Sequence, residues 1–573
     1  MLTLLRLLFC LLFFVTLGYS QAEASHWYFG NGAGLIFDTN SGTVLSTNAA
    51  TSTISTSEGC SSISDLNGNL LFYTDGRNVW DKNHIIMPNA NYNAGTGLLG
   101  DPSSTSSGLI IPKPGNTDQY YVFTVDEPHH QNAFAFPNQG PANVSGNAIG
   151  SYDSGGSVPS ADDGFNNGLA YTLVDLTLNS GDGDVVTSEK NIQLLTYDPN
   201  DQSQAAYKCS EKITAVEHND GQSYWVLTQF INKFYAFRVD DSGVNPMPVT
   251  TTISPSITVQ GYRRNGIGYM KASPDGSKIA VCHRQNGNSE GQNSSNTGSV
   301  WLYDFDNETG LISNPLNIYP NSGPYGVEFS PEATKLYVTS DDSVFQFDLE
   351  APNPAATIST VYSGFDFIGA LQLGPDGKIY AANTVNQAAL DIINAPEELG
   401  VLCDYNNAGI ALAPGTFAVI GLPPFIQSFF LASIVVENNC FGESTQFNVS
   451  TSQTFDQILW NFGDGLPTGT SSAINPSYNY ANPGTYTVTA EITSGTEINT
   501  FSQTITINVN PMANAAADLE KCDDDGDGIF AFNFVETQTE VLGSQDPNNF
   551  TLSFHENLTD AEDNANPLSI PYQ

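Results

Sequence analysis

The chain has 573 residues, more than one ordinary domain needs, and its length suggests three or four domains unless one is a large repeat fold. Its 17 Lys and Arg residues against 60 Asp and Glu residues give a formal net charge of −43, which repels nucleic acid and anionic lipid headgroups. The 51 glycines and 31 prolines, with 40% hydrophobic residues, predict a turn-rich all-β protein and exclude a disordered chain.

Residues 1–24 have the pattern of a secretory signal peptide. Arg6 precedes an apolar run that ends at Val15, and small residues in A-x-A spacing end at Ala24. The sequence allows cleavage after Ser20 or after Ala24. We therefore expect a protein that is secreted or displayed on the outer cell surface, without a transmembrane segment.

A short hairpin recurs along residues 25–433. ASPDGSKIAV (272–281), FSPEATKLYV (329–338) and LGPDGKIYAA (373–382) each contain a tight turn followed by an alternating strand. The turn centres of the repeated unit are Gly68, Gly115, Gly221, Gly276, Ala333 and Gly377. Because the gap after Gly115 is about twice the others, we assign residues 168–195 to one further, divergent unit.

Repeats of about 40 to 50 residues, each a small antiparallel sheet, predict a β-propeller of about seven blades. A lone small sheet cannot bury both of its faces, so such sheets pack face to face around a circle. We expect the strand near HWYFGNGAGLIF (26–37) to complete the last blade beside LDII (390–393). A β-sandwich, or two shorter repeat domains, is the alternative.

Residues 434–510 contain ILWNFGDG (458–465) and NPSYNYANPGTYTVTAEIT (475–493). This segment resembles the PKD domain, an immunoglobulin-like β-sandwich of extracellular proteins. The resemblance rests on Trp460, Phe462, Gly463, Asp464, Gly465, Tyr480, Gly484, Tyr486 and Val488. It implies that Trp460 and Tyr486 fill the sandwich core and that Asp464 is structural, while Tyr478 stands where the family often has His.

Residues 511–573 form what we interpret as a partial acidic repeat, and we expect the repeat to be truncated. Asp523, Asp525 and Asp527 have the alternating spacing that can surround calcium, which is the only cofactor that we consider. Position 12 of the corresponding EF-hand loop is Phe534 instead of Glu, and no helical pattern flanks the loop. A solvated acidic linker is the alternative.

The signal peptide, the repeats and the PKD motif together resemble the large secreted or surface proteins of gliding Bacteroidetes that are exported by type IX secretion. The resemblance implies an extracellular location and the secretion machinery as a partner. It carries no catalytic residue, and the G-x-S-x-G match at Ser289 lies in a loop without the strand–helix setting of a nucleophile.

Two polar clusters are candidates for ligand binding. VDEPHH (125–130) brings Asp126, Glu127, His129 and His130 together after a strand, where they could bind a metal or act as acid and base. Arg263 and Arg264 are adjacent guanidiniums that suit a carboxylate-bearing partner. An exposed polar loop and ion pairs within the protein are the respective alternatives.

We interpret the chain as a secreted or cell-surface binding or adhesion protein. Propeller loops and the PKD module would contact extracellular polysaccharide or protein. The alternative is a secreted propeller hydrolase or lyase that acts on polysaccharide or a lactone, because fold alone does not separate the two functions.

The six cysteines outside the signal peptide are an even number, which permits three disulfides in an exported chain, although several can equally be buried single thiols. They are Cys60, Cys209, Cys282, Cys403, Cys440 and Cys522.

Overall fold

The computed structural model describes residues 21–38, 43–48, 54–65, 67–127, 167–258, 265–287, 297–365, 367–430, 433–450, 457–466, 468–494, 497–509, 512–520, 522, 531–545, 552–562 and 566–572. They divide into a larger unit, before Ser433, and a smaller unit that contains nearly all described residues from Ser433 onward. Both consist mainly of antiparallel strands, so the all-β prediction is confirmed.

The described part of the larger unit contains seven separate antiparallel sheets, numbered here in chain order. Sheet 1 consists of β1 (His26–Phe29), β2 (Ala33–Asp38) and β3 (Thr43–Thr47). Sheet 2 consists of β4 (Ser61–Ser64), β5 (Leu70–Thr74) and β6 (Val79–Asp81). Sheet 3 consists of β7 (Leu109–Pro112), β8 (Gln119–Val125), β9 (Leu169–Asp175), β10 (Asp184–Val185) and β11 (Ile192–Leu194). Sheet 4 consists of β12 (Ile213–Glu217), β13 (Tyr224–Phe230), β14 (Lys233–Asp240), β15 (Gly243–Val244) and β16 (Val249–Thr252).

The last three sheets of this unit each have four strands in chain order. Sheet 5 consists of β17 (Met270–Ala272), β18 (Lys278–His283), β19 (Gly298–Asp306) and β20 (Leu311–Ser322). Sheet 6 consists of β21 (Pro324–Phe329), β22 (Lys335–Ser340), β23 (Ser343–Asp348) and β24 (Ser359–Ser363). Sheet 7 consists of β25 (Ile368–Leu373), β26 (Ile379–Asn383), β27 (Ala389–Ile393) and β28 (Tyr405–Ala411).

Short helical segments connect the strands of the larger unit. One is an α-helix, α1 (Gln202–Tyr207), whose first turn is capped by the Asp201 carboxylate. The 3-10 turns are Gln21–Ala24, Pro88–Ala90, Tyr92–Ala94, Asn179–Gly181, Thr187–Glu189, Pro354–Ala356, Gly400–Cys403 and Gln427–Phe430.

Neighbouring sheets contact each other through their first strands. β1 contacts β4, and contacts continue from β4 to β7, β12, β17, β21 and β25 in chain order. The last sheet also contacts the first, because the ring of Trp27 in β1 lies 5.3 Å from that of Tyr380 in β26. Each sheet therefore has a neighbour on either side, and the apolar core continues from one sheet to the next.

The N-terminal strands do not complete the last sheet, so that expectation was wrong. β1, β2 and β3 form sheet 1, whereas β27 pairs with β26 and β28 of its own sheet. The chain that follows β28 makes a further, backbone contact with sheet 1, at the turn between β1 and β2. The Asn31 N–H donates to the Phe417 carbonyl at 2.8 Å, and the Phe417 N–H donates back to Asn31 at 3.3 Å.

Residues 168–195 are not a separate unit, which corrects a second expectation. β9 pairs with β8 along its whole length, from Gln119 with Asp175 to Val125 with Leu169. The segment therefore supplies the outer strands of sheet 3. The long interval between turn centres reflects the residues between β8 and β9 and not an extra hairpin.

Each repeated turn has the same backbone conformation. The turn centres all have positive φ, from 56° at Ala333 to 79° at Gly68. In the turn between β17 and β18, the Gly276 N–H donates to the Ser273 carbonyl at 2.9 Å, and Ala333 makes the same bond to Ser330 at 2.9 Å. Ala333 thus occupies a left-handed position that costs a residue with a Cβ free energy.

A buried ion pair joins three consecutive first strands. Lys271 Nζ of β17 lies 2.9 Å from Glu328 Oε2 of β21, and both side chains are almost completely buried. The same carboxylate accepts the N–H of Leu373 in β25 at 3.1 Å and the N–H of Phe329 at 3.0 Å. The pair therefore satisfies polar groups of sheets 5, 6 and 7 at once.

The chain from Ser433 begins with two sheets. The first consists of β29 (Ser433–Glu437), β30 (Thr445–Ser450) and β33 (Ser477–Tyr478). The second consists of β31 (Gln457–Asn461), β32 (Thr470–Ser471), β34 (Gly484–Ser494) and β35 (Glu497–Ile507). Side chains of both sheets share one apolar core, in which Trp460 and Phe462 are fully buried.

The described residues beyond Asn508 contain little regular structure. Two short helices, α2 (Val535–Leu542) and α3 (Leu558–Glu562), lie after the acidic run. The expectation that no helix follows this run was therefore wrong. Phe534 stacks on Phe554 with 4.5 Å between ring centroids, and the Phe532 N–H donates to Tyr572 at 2.7 Å.

The left-handed turn predicts opposite effects for two matched substitutions. Ala333→Gly should raise the free energy of unfolding of the larger unit by roughly 0.5–1 kcal/mol, because glycine removes the positive-φ penalty. Gly221→Ala should lower the free energy of unfolding by about 1 kcal/mol, because alanine is disfavoured at positive φ. No clash adds to this cost, since the nearest atom to the new Cβ would be Glu217 Oε1, at 3.4 Å. Calorimetric unfolding measures both, and a loss of stability in Ala333→Gly would contradict the interpretation.

The buried ion pair predicts a non-additive double mutant. Lys271→Met should cost about 3–5 kcal/mol of unfolding free energy, because it leaves the Glu328 carboxylate buried without its cation. Adding Glu328→Gln should recover much of that loss, since the amide carries no charge. Equal stability of the single and double variants in denaturant titrations would argue against this coupling.

Candidate functional site

Three buried carboxyl groups of the larger unit form the candidate site, which we call the acidic centre: Glu58, Glu127 and Glu211. Glu58 lies just before β4, Glu211 just before β12, and Glu127 just after β8. All three side chains are less than a tenth exposed. Because first strands of neighbouring sheets meet, the residues at their beginnings converge from separate parts of the sequence.

Electrostatic interactions link the three carboxyl groups. Burial raises the pKa of Glu58 well above its usual range, and the charges of Glu211 and Glu127 raise it further. Burial likewise raises the pKa of Glu211 to about 8, with Glu127 adding to the shift. Both shifts favour the protonated forms of Glu58 and Glu211, which can donate hydrogen bonds.

Glu211 is held from one side only. The Thr105 N–H donates to Oε2 at 3.0 Å, and the Thr105 hydroxyl donates to the same oxygen at 2.5 Å. Oε1 has no hydrogen-bond partner among the described residues. One oxygen of a fully buried carboxyl group is thus available to a water molecule or a small ligand.

Basic and aromatic side chains surround the acidic centre. Lys212 Nζ donates to the Ile267 carbonyl at 3.0 Å, and burial lowers the pKa of Lys212 to about 8. Burial and the charge of Lys212 hold the pKa of His283 well below its usual value, so this imidazole is neutral. The rings of Tyr269 and Tyr325 meet edge to face with 5.5 Å between centroids, and the Tyr325 hydroxyl adjoins Glu58.

Asp126 has a structural environment. Its Oδ1 accepts the Glu127 N–H at 2.9 Å, and its Oδ2 accepts the Asn167 N–H at 2.6 Å. It therefore ties together the two chain ends that flank residues 128–166. Burial distinguishes Asp126 and Glu127 from the exposed polar loop that was the alternative for VDEPHH.

The other predicted ligand-binding and metal residues lie outside the described residues. They are His129, His130, Arg263, Arg264, Asp523, Asp525 and Asp527. Within the part of the chain that the structure describes, no group of three His, Cys, Asp or Glu side chains is arranged to hold a metal ion.

The residues of the PKD motif have structural contacts. Trp460 Nε1 donates to the Ala473 carbonyl at 3.0 Å, and the Tyr480 hydroxyl donates to the Phe462 carbonyl at 3.0 Å. The Asp464 carboxylate accepts the Leu466 N–H at 3.0 Å and the Tyr478 hydroxyl, so tyrosine supplies a hydrogen bond at the position where the family often has His. Tyr486 is half-buried at the edge of the core and does not fill it.

Glycines complete the motif. Gly463, Gly465 and Gly484 all have positive φ. A Cβ on Gly463 would approach the Thr487 carbonyl oxygen to 2.1 Å, so the close contact between β34 and the turn after β31 requires glycine there.

Sequence reasoning missed most of the acidic centre. It found Glu127 but neither Glu58 nor Glu211. It also missed Lys212 and His283, which lie beside the acidic centre. A detectable signal was their position, because Glu58, Glu211 and Lys212 stand one to three residues before the first strand of a repeat. Superimposing the repeats by their first strands would have placed them together.

Two family models match parts of the smaller unit. Residues 433–509 match the PKD domain, so the prediction of a PKD domain is confirmed. Residues 518–573 match a family described as the Flavobacterium inter-domain disulphide bond domain. No curated protein matches the chain.

Several solved structures are similar to parts of the chain. The PKD1 domain of Vibrio anguillarum Epp is 24% identical over 14% of this chain and 94% of its own, with a TM-score of 0.12. A putative 6-phosphogluconolactonase from Bacteroides uniformis is 11% identical over 68% of this chain and 97% of its own, with a TM-score of 0.39. The periplasmic gluconolactonase PpgL of Pseudomonas aeruginosa is 12% identical over 74% and 94%, with a TM-score of 0.32.

The raised pKa of Glu211 predicts that stability falls as pH rises. Between about pH 5 and pH 8 the unfolded carboxyl group ionises while the folded one keeps its proton, so unfolding becomes easier. Glu211→Gln stays neutral and keeps an oxygen for Thr105, so it should gain on the order of 2 kcal/mol relative to the wild type at pH 8 and little at pH 4.

The exposed Glu308 provides a matched control for this prediction. Glu308→Gln should leave the pH dependence of unfolding unchanged. Denaturant titrations at several pH values give the free energy of unfolding as a function of pH. If this free energy changes with pH in Glu211→Gln as it does in the wild type, Glu211 is not protonated in the folded protein.

Proposed function

We propose that this chain is a secreted or cell-surface binding protein whose larger unit is a β-propeller of about seven blades. Its loops would contact an extracellular polysaccharide or protein, and the PKD domain would hold it away from its attachment point. The observation that supports this most directly is the succession of seven small sheets, each contacting the next, with the last contacting the first.

The position of the acidic centre fits a propeller. Glu58, Glu211 and the turn after β8 lie at the ends of strands where, in a closed ring of blades, connections gather around the central axis. Such connections are the part of a rigid scaffold that most often binds ligands. With a formal charge of −43, the ligand should be neutral or basic instead of a polyanion.

Features at both ends of the chain support an extracellular location. PKD domains and the Flavobacterium family matched by residues 518–573 are extracellular types of domain, as the sequence resemblance to exported surface proteins implies. Among the described residues, no helix is long and apolar enough to cross a membrane. Ala24 is fully buried and accepts a hydrogen bond from Trp27 Nε1 at 2.9 Å, which favours signal cleavage after Ser20 over cleavage after Ala24.

The matched C-terminal family adds a covalent element to the proposal. Its description names a disulfide between domains, and Cys522 is the cysteine within residues 518–573. We therefore include in the proposed function that Cys522 forms a disulfide with another domain, which suits a protein exposed to an oxidising exterior.

An enzyme is the second candidate, because protonated Glu58 and Glu211 are groups of the kind that serve as general acids. Their almost complete burial favours binding over catalysis, since a general acid must reach the atom that it protonates.

The proposal predicts binding without turnover. The purified mature chain should be retained in affinity gels that contain a neutral polysaccharide, or should capture a protein from the same cell surface, while releasing no reducing ends and opening no lactone. Replacing both His129 and His130, which follow β8 in the sequence, by Ala should weaken binding at least fivefold, whereas His555→Ala in the smaller unit should not.

The opposite result is that the wild type turns over a glycan or lactone, with the activity lost in Glu127→Gln but kept in Glu308→Gln. That result would contradict the binding proposal and support the enzymatic one. Equal retention of the double histidine variant and the wild type would show that His129 and His130 do not take part in recognition.

A further inference from the structure

The six cysteines fall into two groups by their environment. Cys60, Cys209, Cys282 and Cys403 are buried in the larger unit, and burial raises the pKa of each thiol. In the smaller unit Cys440 is half-buried and Cys522 is exposed. Cys440 and Cys522 belong to the same compact unit, whereas the four buried cysteines belong to the other, so Cys440 is the candidate intramolecular partner for Cys522.

Cys440 lies where the chain leaves the PKD sandwich. It forms a parallel bridge with Asn508, the residue that follows β35. Hydrogen bonds fix this arrangement on both sides: the Phe441 N–H donates to the Asn508 carbonyl at 2.9 Å, and the Asn508 N–H donates to Asn439 at 2.8 Å. Cys440 is therefore distant from Cys522 in sequence but adjacent to the start of the connection that leads to it.

The connection joins the C-terminal segment almost at once. The Met512 N–H donates to Gln545 Oε1 at 2.7 Å, and the Asn514 N–H donates to the Val541 carbonyl at 3.0 Å. The end of α2 and the residues just after it are thus hydrogen-bonded to the chain only a few residues beyond Asn508. The thirteen residues 509–521 between that exit and Cys522 can span more than 40 Å when extended, at roughly 3.3 Å per residue, so the chain allows Cys522 to return to Cys440.

We propose that Cys440 is the partner of Cys522, and that their disulfide fastens the C-terminal segment to the PKD domain at its chain exit. This inference rests on the proposed function, which supplies the export and a disulfide at Cys522, and it adds which residue forms the other half.

The bond forms by ordinary thiol–disulfide exchange. One of the two thiols loses its proton, and its thiolate attacks a disulfide of an oxidising protein in the exporting compartment, giving a mixed disulfide and releasing one thiolate of the oxidant. The second cysteine then attacks the mixed disulfide as a thiolate. The S–S bond joins Cys440 to Cys522, and the two electrons leave with the oxidant, which becomes a dithiol.

The sequence provides a direct assay. Between Lys378 and the C-terminus the only Lys or Arg is Lys521, so trypsin yields fragments 379–521 and 522–573. The full mature chain, made in an oxidising compartment, is denatured, its free thiols are alkylated, and it is digested without reductant. Mass spectrometry should find the two fragments joined, and added reductant should separate them.

Two serine variants identify the partner, since fragment 379–521 contains both Cys403 and Cys440. Cys440→Ser should abolish the joined species, and Cys403→Ser should leave it unchanged. Both assays read a covalent bond in denatured protein, so a folding defect in a variant is checked separately by calorimetry of the reduced protein.

The outcomes separate this inference from the proposed function. If fragment 522–573 is joined to a different cysteine, or to a second chain, Cys440 is not the partner but the disulfide at Cys522 stands. If Cys522 is fully alkylated in the wild type, both the pairing and the proposed disulfide at Cys522 fail. Loss of the joined species in Cys403→Ser instead of Cys440→Ser would also overturn the pairing.

Discussion

The structure of the larger unit depends on one constraint: a sheet of three to five short strands must bury both of its faces. Each sheet meets this requirement with the two sheets beside it, and the first strands make the contacts. The hairpin turns recur for this reason, because each sheet needs a tight connection between its first and second strands. The Lys271–Glu328 ion pair adds polar contacts to an arrangement that apolar burial already requires.

The same constraint explains why carboxyl groups become buried in so acidic a protein. Residues just before the first strands are carried inward as the sheets pack, so Glu58 and Glu211 leave water together with the apolar residues beside them. Burial and mutual repulsion then favour their neutral forms. Glu58 and Glu211 are therefore chemically unlike the exposed carboxylates, because their protonated forms can donate a hydrogen bond, whereas an ionised carboxylate only accepts.

The sequence predicted the features that depend on local chemistry. The turn centres were found because a positive φ selects Gly, and Ala333 was found by analogy with the turns on either side. The PKD domain was found because Trp460, Gly463 and Asp464 each have a specific structural role. Such positions constrain the residue type strongly enough to be recognised without a structure.

Features that depend on distant pairing were not predictable in the same way. Residues 168–195 follow a long interval, and only the register of β9 on β8 shows that they belong to the preceding sheet. The N-terminal strands were expected to complete sheet 7, whereas they form a sheet of their own beside it. The backbone bonds between Asn31 and Phe417 that join the two have no side-chain signature. The acidic centre combines residues from three sheets, so no short window of sequence contains it.

The two hydrogen bonds that the Asp126 carboxylate accepts affect which changes of sequence the larger unit can tolerate. Because one carboxylate binds the backbone at both Glu127 and Asn167, the chain leaves β8 and re-enters β9 at two fixed, adjacent points. The closing entropy of a loop grows only slowly with its length, so substitution or extension between these anchors leaves the strand register intact. This position is therefore a suitable graft site, where the residues between Glu127 and Asn167 can be exchanged while the scaffold stays the same.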